Sequence, residues 1–167
     1  MPMQPSPRPA ALRRPLDAAT VFAHVYQRWF DDARGLTEEN KRHARSVVGA
    51  YVADVLTLWD ESTRDYLAGA PLILRLEACD VTAFVMREPH IALSFDGIET
   101  GAPTALFGST FRWESFRPCS YAIGRRLTDL VFSTDENDLL VEAEAVLDDG
   151  GLLLLGNRAL WSLPRAV

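Results

Sequence analysis

The segment 111–118, FRWESFRP, places a tryptophan and arginines at the spacing of a β-strand. Alternate side chains of a strand point to opposite sides of the sheet, so Phe111, Trp113 and Ser115 share one side. An arginine facing Trp113 from a neighbouring strand can stack on the indole ring, which contributes about 0.5–2 kcal/mol, or bind an anionic group of a ligand. Arg126 and Arg158 lie in later strand-like segments and are the candidates for this chemistry.

Residues for acid–base or metal chemistry are few and scattered. The three histidines and two cysteines do not have the spacing of a zinc site, and no phosphate-binding loop, nucleophile elbow or HExxH motif is present. His90 lies in a turn and is expected to face solvent, while Glu142 and Glu144 have the spacing of an exposed strand side. Asp96 is interpreted as a turn residue, with a place at a pocket mouth as the alternative. The sequence therefore predicts no metal and no cofactor, and leaves the catalytic residues unknown.

Two amphipathic helices are expected to cover the arginine-bearing side of the sheet. After Asp17, which can cap a helix, apolar side chains recur at helical spacing until Gly35. Thr37 can cap a second helix, whose apolar stripe continues to Trp59. Residues 1–15, which are rich in proline and arginine and contain no acidic residue, are predicted to be a disordered arm.

The period of the apolar residues changes from about 3.6 to 2 after Pro71. Strands are predicted at LILRLEA, VTAFVM, IALSFDG, FRWESF, YAIGRRLTDLVF, LLVEAEAVL and LLLLGNRALW. No segment between the later strands is long enough for a crossover helix, so we expect antiparallel neighbours. The sequence thus predicts one α+β domain over residues 16–167, in which the N-terminal helical pair packs on a curved, mostly antiparallel meander sheet.

This element order resembles the cone-shaped NTF2-like folds and, more loosely, lipocalin-like half-barrels. The likeness is an analogy of element order, with no shared motif. The usual third helix of the NTF2-like cone has no counterpart beyond a fragment in GAPTALFGST.

A provisional strand register gathers the candidate ligand-binding residues on one face. Closure of the turn at PCS sets Trp113 opposite Arg126 and Phe111 opposite Thr128. Symmetric closure at DDGG brings Arg158 onto the same face, where small side chains beneath the helices indicate a concavity. The predicted ligand-binding residues are therefore Phe111, Trp113, Arg126, Thr128 and Arg158. In the alternative interpretation both arginines extend to solvent along their apolar stems and Trp113 is a core aromatic.

The overall charge limits the classes of partner. The chain of 167 residues has a formal net charge of −6, which argues against nucleic-acid binding. No stretch approaches the roughly 18 consecutive apolar residues of a membrane span, and the start lacks the apolar core of a secretory signal, so a cytoplasmic protein is expected. Cys79 and Cys119 are interpreted as reduced thiols.

Two functions fit these observations. The first is a pocket protein for a small apolar or amphipathic molecule whose acidic group the arginines hold; as an enzyme, it would be a cofactor-independent isomerase, cyclase or dehydratase. The alternative is a non-catalytic ligand-binding or dimerising interaction module. The apolar centre of the predicted homodimer surface would be Phe116, Leu153, Leu155 and Trp161.

Overall fold

The computed structural model describes residues 47–155 except 68–69, 88 and 107, together with six residues before this range. Those six are Asp32, Arg34, Gly35, Glu38, Arg42 and His43. The described strands form two antiparallel sheets. The larger sheet contains β1 (Val52–Asp60), β2 (Asp65–Tyr66), β3 (Leu72–Leu76), β4 (Asp80–Arg87), β5 (His90–Ser94), β6 (Thr104–Leu106) and β7 (Ser109–Ser115), and the smaller contains β8 (Leu127–Thr134), β9 (Leu140–Leu147) and β10 (Leu152–Leu154).

The smaller sheet is a meander, whereas in the larger sheet β1 lies between β3 and β7. The larger sheet has the order β5-β4-β3-β1-β7-β6, with β2 paired to the end of β1, and the smaller has the order β10-β9-β8. Every pair is antiparallel. The sequence-based expectation of an antiparallel, sheet-rich chain is confirmed.

The expected α+β architecture with an N-terminal helical pair is wrong. Residues 52–60, which we expected within the second helix, form β1, and no helix in the described part of the chain reaches seven residues. Four consecutive positions of β1, 55–58, are buried, so apolar residues occur on both of its sides. A strand buried on both faces loses the alternation that marks a half-buried strand, and its apolar residues can match a helical spacing by coincidence.

A glycine separates the last helical residue from β1. The backbone is helical at Val47 and turns at residues 48–49, where Gly49 has a φ of +92°. Glycine adopts this left-handed conformation without a steric penalty, and helices commonly end with it. The first expected helix and the arm 1–15 lie outside the described residues, apart from Asp32 and Arg34.

The two sheets are joined along one edge of β1. β3 occupies the other edge, and β7 pairs with residues 56–60. Just before this stretch, the amide N–H of Gly49 donates to the carbonyl of Leu127 at 2.7 Å, and the N–H of Leu127 donates to the carbonyl of Ala50 at 2.8 Å. The chain from Gly49 to Asp60 therefore contacts first the start of β8, through residues 49–51, and then β7, through β1. A short 3-10 helix, Arg117–Ala122, lies between β7 and β8, so the expected β7–β8 hairpin is wrong.

The hairpins on either side of β9 form with registers that differ from the expected ones. Phe132 pairs with Ala143 rather than with Leu139, the partner that a symmetric turn would give. In the next turn the N–H of Leu147 donates to the carbonyl of Gly151 at 2.8 Å, so the turn contains three residues. This odd length shifts β10 by one position and exchanges its two faces.

Side chains of both sheets form one hydrophobic core. Its members include Leu72, Leu74, Val81, Ala83, Ile91 and Leu93 of the larger sheet and Leu130, Ala143, Ala145, Leu147 and Leu153 of the smaller. The other face of the larger sheet is buried as well, because Leu56, Ile73, Thr82 and Ser94 lie side by side across four strands and are at most 6% exposed. Arg75, near the end of β3, and Asp80, at the start of β4, lie beside the turn where the candidate site is found.

Candidate functional site

The predicted ligand-binding residues that the structure describes are divided between the two sheets. Phe111 and Trp113 lie on β7, where Phe111 is buried and Trp113 is half-buried. Arg126 directly precedes β8, Thr128 lies near the start of that strand, and both are exposed. Arg158 lies outside the described residues. The register that was expected to set these side chains opposite one another is therefore wrong, while their part in binding a ligand stays a prediction.

A β-bulge accounts for the position of Arg126. The register of β8 against β9 shifts between Leu127 and Asp129, which turns Leu127 into the core and leaves Arg126 outside. The guanidinium carbon of Arg126 lies 5.0 Å from the centroid of the Tyr51 ring, and Nη2 donates to the Tyr51 hydroxyl at 2.7 Å. The hydrogen bond to Tyr51 raises the pKa of Arg126. The arginine thus stacks on a ring, but the ring is Tyr51 rather than Trp113.

The expected dimer surface lies in the interior where the structure describes it. Phe116, Leu153 and Leu155 are at most 4% exposed, so they cannot form an outer apolar patch. The one-residue shift of β10 explains why the expected surface is buried, since the shift turns Leu153 into the core and leaves Leu152 exposed. Trp161 lies outside the described residues, and homodimer formation itself stays a prediction.

His90 has a partner that the sequence did not indicate. Its Nε2 lies 2.7 Å from Oδ2 of Asp135, and the two side chains are 30% and 26% exposed. Oδ1 of Asp135 also accepts the backbone N–H groups of Asn137 and Leu139. The hydrogen bond from His90, followed by those from the backbone, lowers the pKa of Asp135. This pair fastens β5 to the β8–β9 turn.

An open cleft of about 590 Å³ lies beside the turn that joins β3 to β4. Its walls come from the end of β3 and the start of β4, from the segment that follows β5, and from His43. The lining residues are His43, Arg75, Leu76, Glu77, Ala78, Cys79, Asp80, Phe95, Asp96 and Gly97. Asp96, whose alternative interpretation was a place at a pocket mouth, is among them.

Arg75 and Asp80 form the polar centre of this cleft. The register pairs them directly across β3 and β4. Arg75 donates from Nε and Nη2 to the two carboxylate oxygens of Asp80, each at 3.2 Å, and from Nη2 to the Thr100 hydroxyl at 3.1 Å. The hydrogen bond to Asp80 and the nearby carboxylates of Asp80, Asp54 and Glu99 raise the pKa of Arg75, against a smaller opposing effect of burial. The guanidinium is therefore held in a fixed orientation.

Two stacked rings are found among the lining residues of the cleft. The imidazole of His43 stacks on the phenyl ring of Phe95, with centroids 5.4 Å apart and planes 12° from parallel. Phe95 is 4% exposed and belongs to the hydrophobic core, which holds its ring in place. The stack therefore anchors the imidazole of His43 on the core at the edge of the cleft.

The thiol in the cleft is kept in its protonated form. Burial, together with the negative charge of Asp80, raises the pKa of Cys79. Burial also raises the pKa of Cys119, in the core, to about 12. Because the thiolate is the reactive form, neither cysteine is set up as a nucleophile. Both are free thiols, in line with the sequence interpretation.

The sequence contained one usable signal for this site. Arg75 and Asp80 flank a tight connection between two predicted strands, so their pairing across the hairpin could have been derived. The positions of His43 and Phe95 beside this turn depend on long-range packing, which no local pattern encodes.

Comparison of the sequence with protein-family models gives no match, and no curated protein or solved structure shows significant similarity. The site therefore has to be interpreted from its own geometry. Among the described residues, no group of three or more histidine, cysteine or acidic side chains is arranged to hold a metal ion. Within the same part of the chain, no helix combines the length and apolar character needed to cross a membrane.

Proposed function

We propose that this chain is a small-molecule-binding protein and that the ligand occupies the cleft beside the β3–β4 turn. The observation that carries the proposal is a concavity of about 590 Å³ whose lining includes an imidazole anchored on Phe95 and an oriented guanidinium. Ligand sites commonly have volumes of about 300–1,000 Å³ and combine apolar walls with a few fixed polar groups. The expectation of a pocket protein is thus retained at a different place on the molecule.

The geometry of the cleft favours binding of a ring-bearing molecule. The imidazole of His43, which is anchored on Phe95, contributes a ring to the lining, and Leu76 adds an apolar side chain from β3. Arg75 is oriented by Asp80 and Thr100 before any ligand arrives, so little side-chain entropy is lost on binding. Preorganisation of this kind is what distinguishes a site from an accidental surface depression.

The proposal is for binding without a chemical step. Cys79 is held as a thiol, and the Asp80 carboxylate is engaged by Nε and Nη2 of Arg75, so neither of these two groups is prepared to attack or to deprotonate a substrate. The cytoplasmic location expected from the sequence accompanies this proposal as a prediction.

A fragment screen with a variant that fills the cleft tests the proposal. Ala78 lines the cleft and is exposed, so Ala78→Trp is expected to occupy the space without disturbing the core. The matched control is Ala105→Trp, because Ala105 is exposed on β6, at the far edge of the larger sheet. Fragments that bind the wild type should bind the Ala78→Trp variant at least about tenfold more weakly, and they should bind the control variant as tightly as the wild type.

The binding position is read from amide chemical shifts in an NMR titration. We expect the ligand-induced changes to concentrate in residues 75–80 and 95–97. A screen without hits, or hits that bind Ala78→Trp as tightly as wild type, would overturn the proposal.

A further inference from the structure

We propose that the hydroxyls of Thr82 and Ser94 form the inner end of the ligand site and bind a carbonyl oxygen of the ligand; this rests on the proposed function and names its ligand class. The register pairs the two residues directly across β4 and β5, and both are 0% exposed. The class of ligand that fits is a neutral ketone, ester or amide in an otherwise apolar molecule.

The two hydroxyls have hydrogen-bonding capacity that the fold does not use. Among the described residues, the Thr82 hydroxyl has no hydrogen-bond partner, although it is fully buried. The Ser94 hydroxyl accepts the backbone N–H of Asp96, a residue of the cleft lining, at 3.2 Å, and in the described part of the chain its own proton has no acceptor. Buried polar groups are hydrogen-bonded in the great majority of cases, so this orphan points to a group that binds there.

The hydroxyl pair lies one strand repeat inward from the polar centre of the cleft. Arg75 pairs with Asp80 across β3 and β4, and two residues further along the same face Ile73 pairs with Thr82. One repeat of this kind spans about 7 Å. A ligand in the cleft therefore reaches the two hydroxyls with one short extension past the ion pair.

The surroundings of the hydroxyl pair select a neutral acceptor. Directly opposed strand residues have Cβ atoms about 5 Å apart, so one carbonyl oxygen can accept a proton from each hydroxyl. The same row across the sheet continues with Ile73 and Leu56, which are at most 6% exposed. An ionised group would lose its hydration in this row without gaining an opposite charge, because the nearby Arg75 is already paired with Asp80.

Thr82→Val separates binding from folding. Valine keeps the shape of the side chain and removes the unsatisfied hydroxyl, so the free energy of unfolding in urea should stay unchanged or rise. The same substitution should remove one of the two hydrogen bonds to the ligand carbonyl. A loss of binding in a variant of undiminished stability cannot come from a damaged fold.

Acetophenone and α-methylstyrene are the probes, because they share one shape and differ in whether a carbonyl oxygen or a methylene group is present. Both affinities are measured by NMR titration, and acetophenone should shift the amides of residues 82 and 94 in wild type. The ratio of the acetophenone affinity to the α-methylstyrene affinity should fall about three- to tenfold in Thr82→Val and in Ser94→Ala. Thr134→Val, exposed at the end of β8, is the control and should keep the wild-type ratio.

An unchanged affinity ratio in Thr82→Val would overturn the inference, because the hydroxyl would then contact water only. The proposed function would stay intact as long as fragments that bind wild type lose affinity in Ala78→Trp. If acetophenone does not bind wild type, the inference fails as well, and the proposed function fails with it only if the fragment screen is also empty.

Discussion

Thr57 and Thr82 are buried threonines that differ in how their hydroxyls are satisfied. Both are 0% exposed. The hydroxyl of Thr57 donates to the carbonyl of Pro71 at 3.0 Å, whereas that of Thr82 has no hydrogen-bond partner among the described residues. A buried hydroxyl without a partner costs free energy, and a valine of the same shape avoids that cost.

The two substitutions should therefore have different effects on stability. Thr57→Val leaves the Pro71 carbonyl without its donor and should lower the free energy of unfolding by about 1–3 kcal/mol. Thr82→Val should leave it unchanged or raise it. Urea unfolding of both variants checks this. An equal loss of unfolding free energy in the two variants would contradict the assignment of Thr82 as a buried hydroxyl without a partner.

Gly150 and Gly97 allow a similar comparison for the backbone. Gly150 has a φ of +80° in the three-residue turn before β10, and a side chain there would meet open space. The φ of Gly97 lies outside the left-handed region, and a Cβ there would lie 4.0 Å from the Asp80 carboxylate. Gly150→Ala should cost about 1–2 kcal/mol of unfolding free energy, because an alanine pays the steric penalty of the left-handed region.

Gly97→Ala should be neutral or stabilise by about 0.4–1 kcal/mol, because it restricts only the unfolded chain. Thermal melts of the two variants make the comparison. A loss at Gly97 that equals the loss at Gly150 would contradict the account of the β9–β10 turn.

At the scale of elements, the His90–Asp135 pair connects the edge strand β5 with the β8–β9 turn. The folded protein lowers the pKa of Asp135 below its ordinary value near 4. A carboxyl whose pKa is lower in the folded state stabilises the fold above its ordinary pKa, and this contribution is lost as the pH falls through the folded pKa.

Asp135→Asn should therefore flatten the acid side of the stability curve. Wild type should lose melting temperature steadily as the pH is lowered from about 5 to 3, and the variant should lose less over that window. Melting temperatures measured across this range provide the comparison, with Asp138→Asn, in the same turn, as the control. Parallel curves for wild type and Asp135→Asn would contradict the assigned role of Asp135.

Most strands could be predicted from the sequence, because their β-branched and apolar runs are separated by turn residues. The segments LILRLEA, VTAFVM, IALSFDG, FRWESF and LLVEAEAVL all contain strands. The error at β1 arose because burial on both faces hides the period of a strand. The bulge at residues 127–129 and the three-residue turn at 148–150 change the faces of β8 and β10, and neither leaves a mark in the apolar pattern.

At the scale of the whole molecule, the candidate site could be predicted only in its local part. Arg75 and Asp80 are close in the sequence and meet across one hairpin. His43 and Phe95 meet because chain segments distant in the sequence pack at the same end of the larger sheet. The residues of the site predicted from the sequence are not brought together, because β7 pairs with β1 and β8 pairs with β9, and the two strands do not pair with each other.

The central claim is that a small molecule binds beside the β3–β4 turn. Amide chemical-shift mapping of the tightest fragment, recorded on wild type and on Ala78→Trp, tests it most directly. We expect shift changes at residues 75–80 and 95–97 in wild type, and their loss in the variant. Changes that persist in Ala78→Trp, or that cluster at residues 111–115 and 126–128, would contradict the claim.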